Sequence, residues 1–269
     1  MIKKNGFILG LVILSSCSFN RSFYHPDPSA VAPFPDSENH YIRYGESDSI
    51  HALFFPQELP KANLFILHGN AGNLSSWGEM ADLFYTSGYQ VFILDYPSFG
   101  NSTGKLTHEN VIASTKEAAL YYANLPTISA HKSILMGYSL GGNLALKIAA
   151  DHPTLFDAMI LEAPFDTHKA QAMHVVPPPL RFAPFLLTKN AINGKKLIAT
   201  WTKPLLLIHS RDDKVCPFEM SKRLLKSAVL TNQKELWEIK GPHLAGLGQN
   251  LDLYLAKMNA MVENLQDSN

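Results

Sequence analysis

Residues Met136 to Gly142 read MGYSLGG, which sets Ser139 in the spacing G-x-S-x-G as Gly137-Tyr138-Ser139-Leu140-Gly141. A serine hydroxyl is a weak nucleophile at neutral pH. It attacks an acyl carbon only when an adjacent base takes its proton and a third group orients that base. Backbone N–H groups must then receive the oxyanion that forms. Three fixed positions match by accident in about one chain in ten of this length, so Ser139 gains meaning only from its surroundings. Ser133-Ile134-Leu135-Met136 before it reads as a strand, and Gly142 to Asp151, GNLALKIAAD, as a helix. Strand, tight turn and helix in that order push a serine Oγ out beyond a sheet, and the glycines leave room for the turn. In that geometry Leu140 supplies one oxyanion N–H.

Further groups of the required types fall in loops after other apolar runs. LHGNAGN, Leu67 to Asn73, offers the N–H of Asn70 as a second donor, with glycines that let the backbone approach a substrate closely. A phosphate-binding loop is the competing reading, but neither G-x-x-x-x-G-K-S/T nor G-x-G-x-x-G occurs. His68 belongs to the turn of that loop rather than to the chemistry. For the acid, Asp212 and Asp213 follow PLLLIH, Pro204 to His209, while Glu162 and Asp166 follow the preceding run. Of eleven histidines, His243 alone sits in a loop after the last strand, in Gly241-Pro242-His243. His209 reads as loop scaffold.

These groups need a frame, and the apolar pattern supplies one. His40 to Gly45 and Ile50 to Pro56 read as two short strands. Ala62–His68, Gln90–Asp95, Lys132–Gly137, Ala158–Glu162, Pro204–His209 and Glu235–Ile239 read as further strands. Between and after them lie helical patterns at Leu74–Thr86 (capped by Ser75 or Ser76), His108–Asn124, Gly142–Asp151, Pro217–Ala228 and Leu251–Leu265. Apolar strands alternating with helices imply an α/β fold with a mostly parallel sheet covered on both faces. Ligands of such sheets bind beyond the carboxyl ends of the strands, where Ser139 falls. Phe165 to Trp201, with Pro177-Pro178-Pro179 and many apolar residues, is longer than a connection needs and is expected to be a short lid.

Lys plus Arg and Asp plus Glu both number 23, so the formal charge is zero, and the basic footprint of a nucleic-acid binder is missing. The N-terminus is of another kind. Lys3 and Lys4 precede Gly6 to Leu14, GFILGLVIL, too short to span a bilayer but suited to a signal peptide. Leu14-Ser15-Ser16-Cys17 resembles the lipobox of bacterial lipoproteins, in which the cysteine becomes the lipidated first residue. The resemblance implies a signal peptide over residues 1–16, lipid on Cys17 and a cell-envelope location on a bacterial membrane. Residues 17–37 carry several prolines and no apolar periodicity, so they are expected to run as a tether to a domain over residues 38–269. With Cys17 acylated, Cys216 has no cysteine left to pair with.

From about His40 to the end, the chain resembles the α/β-hydrolases with a short lid. It is similar above all to the group bearing HGNAGN, which includes membrane-associated serine hydrolases and depalmitoylase-like proteins. The family's H-G-x-x-D-x-x-V-P loop aligns with His209 to Pro217, HSRDDKVCP, and this resemblance selects Asp213 over Asp212 as the acid. DYPSFGNSTG, Asp95 to Gly104, is similar to the family's D-Y-x-G-x-G-x-S-x-G. Ser210 and Ser98 stand where the family has glycine and Cys216 where it often has valine, which puts loop shape in question. The resemblance implies a triad Ser139, Asp213, His243, with oxyanion donors Asn70 and Leu140. The expected reaction is hydrolysis of an ester, thioester or related acyl bond through an acyl-enzyme. The expected substrate is a small molecule or an acyl group such as palmitate, and no metal or organic cofactor is implied. A peptidase on the same fold, or a tethered binding protein without activity, are the alternatives.

Overall fold

Five runs of five or six residues, Asn63–Leu67, Gln90–Leu94, Ser133–Tyr138, Ala158–Glu162 and Leu205–Ser210, are buried at every position. Strands can be buried in this way only in a sheet covered on both faces. The computed structural model describes residues 23–176 and 192–267. Its strands are β1 (His25–Pro26), β2 (Glu38–Tyr44), β3 (Asp48–Phe55), β4 (Asn63–Leu67), β5 (Ala71–Gly72), β6 (Gln90–Leu94), β7 (Ser133–Tyr138), β8 (Ala158–Glu162), β9 (Leu205–Ser210) and β10 (Lys234–Ile239). Its helices are α1 (Leu74–Thr86), α2 (His108–Ala123), α3 (Leu140–Asp151), α4 (His168–Val175), α5 (Gly194–Ile198), α6 (Glu219–Ser227), α7 (Gly246–Gln249) and α8 (Leu251–Gln266).

Eight strands form the main sheet in the order β10-β9-β8-β7-β4-β6-β3-β2. Pairing is parallel from β10 through to β6, and antiparallel where β3 meets β6 and β2. Successive strand residues point to opposite faces, and the core divides accordingly. Leu64, Ile66, Ile134 and Met136 pack with Phe84 of α1 and Tyr254 and Met258 of α8. Phe65, Leu67, Leu135 and Leu161 face the other way, onto Tyr122 of α2, Leu144 and Ile148 of α3 and Leu224 of α6. Because β4 and β6 to β10 all run the same way, the loops after Leu67, Leu94, Tyr138, Glu162, Ser210 and Ile239 gather at one end of the sheet.

Three local expectations need correction. Helix α1 is capped by Asn73, whose side chain accepts the Ser75 N–H at 2.8 Å, and not by Ser75 or Ser76. Helix α3 starts at Leu140, two residues ahead of the expected Gly142, because the turn at Ser139 is tight enough for Gly142 N–H to reach Ser139 O at 3.0 Å. The third concerns the proline-rich stretch. From Phe23 onward it is seated on the body and not free: β1 pairs in parallel with β5, Gly100 N–H donates to Asp27 O at 2.8 Å, and Ala32 N–H donates to Ser75 Oγ at 2.9 Å. Phe34 then lies over Gly78, where a Cβ would come within 2.5 Å of its ring. The expected lid between Phe165 and Trp201 is pinched at its base by a bridge between Thr167 and Asn193. Its residues 177–191, the triple proline included, lie outside the described residues.

Candidate active site

Ser139 stands between β7 and α3 with φ +52° and ψ −111°, a backbone conformation that costs a non-glycine residue about 1–3 kcal/mol. The surroundings enforce it. Ser139 N–H donates to Glu162 O at 2.9 Å, tying the turn to the end of β8. A Cβ on Gly137 would lie 2.6 Å from Gly141 O, and one on Gly141 would run into the Leu67 carbonyl. Both glycines of the motif are therefore needed for backbone to pass backbone. Ser139 is 6% exposed and lines a cavity of about 480 Å³.

The loop after β4 brings Asn70 to the same cavity, beside Leu140. His68, at its start, is fully buried between the rings of Trp77 and Tyr96. Its Nδ1 donates to Gly69 O at 2.7 Å, its carbonyl accepts Tyr96 Oη–H at 2.7 Å, and its Nε2 lies 3.3 Å from Asp95 Oδ1. His68 thus serves the turn, as its position in the sequence suggests.

Beyond β9 the two neighbouring aspartates part company. Asp212 Oδ2 accepts the Gly241 N–H at 3.1 Å and faces solvent. Asp213 turns inward: Oδ1 accepts the N–H groups of Val215 and Cys216 at 2.8 and 2.9 Å, and Oδ2 lies 2.7 Å from His243 Nδ1 and 3.2 Å from His209 Nε2. Burial works to raise the Asp213 pKa, but the hydrogen bonds from His209 and His243 outweigh it and hold the carboxyl well below the usual range. His209 is fully buried. Its Nε2 faces two acceptors, Asp213 Oδ2 and Cys216 O at 2.9 Å, so it carries the proton, and its Nδ1 accepts Ser221 Oγ–H at 2.6 Å. By the same reasoning the proton of His243 sits on Nδ1, which leaves Nε2 as the basic nitrogen.

The structure therefore brings Asp213 and His243 into contact and places Ser139, Leu140 and Asn70 on one cavity. It forms no hydrogen bond between Ser139 Oγ and His243; the Ser139 hydroxyl instead lies 3.9 Å from Cys216 Sγ. Burial, with Asp213 adding to it, pushes the Cys216 thiol up to about 12, so it is un-ionised at neutral pH. Catalytic hydrogen bonds are often long or misaligned before substrate binds.

Two departures from the family pattern have local explanations. Ser210 Oγ donates to Gly241 O and so ties the Asp213 loop to the His243 loop. Ser98 adopts φ +69°, the region that suits glycine, and its Oγ donates to Gly104 O at 2.8 Å. Asp166 is drawn away from the site by Arg223 Nε at 2.6 Å. Glu162, weighed from the sequence only as an alternative acid, has a different place. It is 2% exposed beneath the His243 loop, and its Oε1 accepts the Gly246 N–H of α7 at 2.8 Å. Burial pushes its carboxyl up to about 7 against the pull of Gly246, Tyr254 and His243. No local sequence signal marks it, since the groups that bury it lie some eighty residues later. The cavity wall is apolar, with Phe23, Phe165 and Ala172 inside and Val175 and Val215 exposed at its rim.

Comparison with known proteins bears on the fold. The protein YfhR of Salmonella typhi is 25% identical over 98% of this chain and 95% of its own length. The membrane protein YNL320W of Saccharomyces cerevisiae is 30% identical, with 85% of this chain and 86% of that protein aligned. An esterase of Pyrococcus furiosus superposes with a TM-score of 0.72 at 17% identity, covering 90% of this chain and 98% of that one. Acetyl xylan esterase 1 of Thermoanaerobacterium reaches 0.66 at 18% identity, over 87% and 88%. At those identities the solved structures speak for the fold alone. A family model described as the alpha/beta hydrolase fold matches residues 62–189. With a strand-turn-helix elbow at Ser139 and its loops gathered at the carboxyl end of a mostly parallel sheet, the chain belongs to the alpha/beta-hydrolase family.

Proposed function

We propose that the protein is a serine hydrolase that cleaves a carboxylic ester, thioester or related acyl bond. The observation that carries this reading is the 2.7 Å contact between His243 Nδ1 and Asp213 Oδ2 at the same sheet end as a serine held at positive φ. Asp213 fixes the tautomer of His243 and stabilises the imidazolium that forms. In this reading Ser139 Oγ turns away from Cys216 and gives its proton to His243 Nε2 as it attacks the acyl carbon. The N–H groups of Asn70 and Leu140 receive the oxyanion. His243 next gives its proton to the leaving alcohol or thiol, and the bond to that group breaks. Water then loses a proton to His243, attacks the acyl-enzyme and frees the acid, returning the proton to Ser139.

The apolar cavity wall favours an acyl chain over a charged substrate. We further propose that Cys17 carries lipid and holds the enzyme on a bacterial envelope membrane. The apolar run before Leu14-Ser15-Ser16-Cys17 supports this, and a similar yeast protein is described as a membrane protein. A fluorophosphonate probe tests the chemistry. It should label the wild type and leave Ser139→Ala unlabelled; no labelling of the wild type, or equal labelling of both, would end the proposal.

A further inference from the structure

Asn70 is held at both of its remaining polar groups by the chain ahead of the sheet. Its carbonyl accepts the His25 N–H at 2.7 Å, and its side-chain Nδ2 donates to Phe23 O at 3.0 Å. Asp27 N–H continues the ladder to Gly72 O at 3.1 Å. The backbone N–H of Asn70, the group the mechanism needs, has no hydrogen bond among the described residues, and Asn70 lines the cavity. The loop that carries it, Gly69 to Gly72, has glycine at each end, Gly72 at φ +82°. Such a loop has little stiffness of its own, because glycine restricts the backbone least.

The chain that clamps it is fixed elsewhere. Tyr24 Oη bonds His108 Nδ1 at 2.7 Å, Gly100 N–H holds Asp27 O at 2.8 Å, and Asn73 Nδ2 donates to Ser29 O at 3.0 Å. The Phe23 ring rests 5.4 Å from His168 and 6.5 Å from Phe165, and lines the cavity itself. Residues 23–27 therefore reach the site as a strap fastened on both sides of the loop.

We propose that residues Phe23 to Asp27 are positioning residues of the active site, which pin Asn70 so that its N–H points at the oxyanion. The proposal rests on the reading of Ser139 as nucleophile. The loop gains its rigidity from a segment outside the sheet, and the strap acts on the transition state through Asn70. A donor displaced by a fraction of an ångström loses most of its effect on an oxyanion, and loss of a whole donor lowers kcat by about 10²–10³-fold.

Two variants break the clamp from opposite sides. His25→Pro removes the donor to Asn70 O, and Asn70→Ala removes the donor to Phe23 O while keeping the Asn70 N–H. With p-nitrophenyl acetate, each should lower kcat by about 10- to 100-fold with KM within about twofold. The double variant should lose less than the product of the two, because both cut one brace. Ser75→Ala instead cuts a bond to α1 from the stretch that follows the strap, at Ala32 N–H. It should lower Tm slightly and leave kcat unchanged, which separates positioning from general stability. Fluorophosphonate labelling of the wild type checks the underlying reading, so an unlabelled wild type removes that reading and the proposal with it. If the wild type is labelled but both clamp variants keep its kcat, or lose only KM, the strap proposal is overturned and the hydrolase reading stands. Should His25→Pro fail to fold by circular dichroism, Asn70→Ala decides alone.

Discussion

Replacing Glu162 by glutamine isolates one buried proton. In the wild type this carboxyl is 2% exposed, with Gly246 N–H on one oxygen and Tyr254 as a further hydrogen-bond partner. His243 and Asp213 act on it with opposite signs, and Tyr138 Oη stands 3.2 Å from Tyr254 Oη behind it. Burial raises its pKa from 4.5 in the free chain to about 7 in the fold. Between those values the folded state holds a proton that the unfolded chain has released. The contribution of Glu162 to stability is therefore fully present below pH 4.5 and is lost as the pH rises through 7. At about 1.36 kcal/mol per pH unit, the gap from 4.5 to about 7 corresponds to about 3 kcal/mol. Glutamine keeps the shape and an acceptor for Gly246 but does not titrate. Wild type and Glu162→Gln should differ by less than about 1 kcal/mol at pH 4.5, and by pH 8.5 the variant should have gained about 3 kcal/mol on the wild type. Urea unfolding followed by circular dichroism at pH 4.5, 6, 7 and 8.5 reads this difference directly. Burial also lowers the pKa values of His51, His108 and His168, but these histidines are common to both proteins and cancel in the comparison. A difference that stays constant within about 0.5 kcal/mol across the series would refute the buried, neutral carboxyl.

Other substitutions separate neighbouring roles. Asp213→Asn should lower kcat on the order of 10⁴-fold by disturbing the His243 tautomer, whereas Asp212→Asn, which loses only an exposed bond to Gly241, should stay within about tenfold of wild type in the same esterase assay. Gly141→Ala forces a methyl group into the Leu67 carbonyl, and a thermal or urea melt should show a loss of at least about 2 kcal/mol. Cys17→Ser should move the protein from the membrane fraction to the soluble fraction of fractionated cells, with catalytic constants toward a water-soluble ester unchanged.

Much of the frame is legible in the sequence because buried parallel strands are written as unbroken apolar runs. Asn63–Leu67 and Leu205–Ser210 fall within a residue or so of their expected bounds, and the site loops follow from the strand ends. Ser139 is legible for a second reason: a turn this tight leaves its glycines as a signature. The choice between Asp212 and Asp213 is not written in spacing, since both follow the same strand. It depends on which carboxylate the turn aims at His243, and only the resemblance pointed to it. The strap was opaque for a different cause. Its bonds run from backbone groups to a glycine-rich loop, so no periodic side-chain pattern reports them, and the prolines of the stretch it belongs to suggest a free tether. Glu162 was hidden because its burial comes from Gly246 and Tyr254, far along the chain.

The seated strap also alters where the working unit begins. A protein trimmed to start at β2 would keep every strand of the main sheet, together with Ser139, Asp213 and His243, yet would lack the clamp on Asn70 and one wall of the cavity. In the full chain only residues 18–22 separate Cys17 from that wall, about 20 Å at full extension. A lipid on Cys17 would thus leave the cavity mouth little freedom to leave the bilayer surface. Turnover of a membrane-dissolved substrate would then follow its mole fraction in the surface rather than its concentration in the bulk.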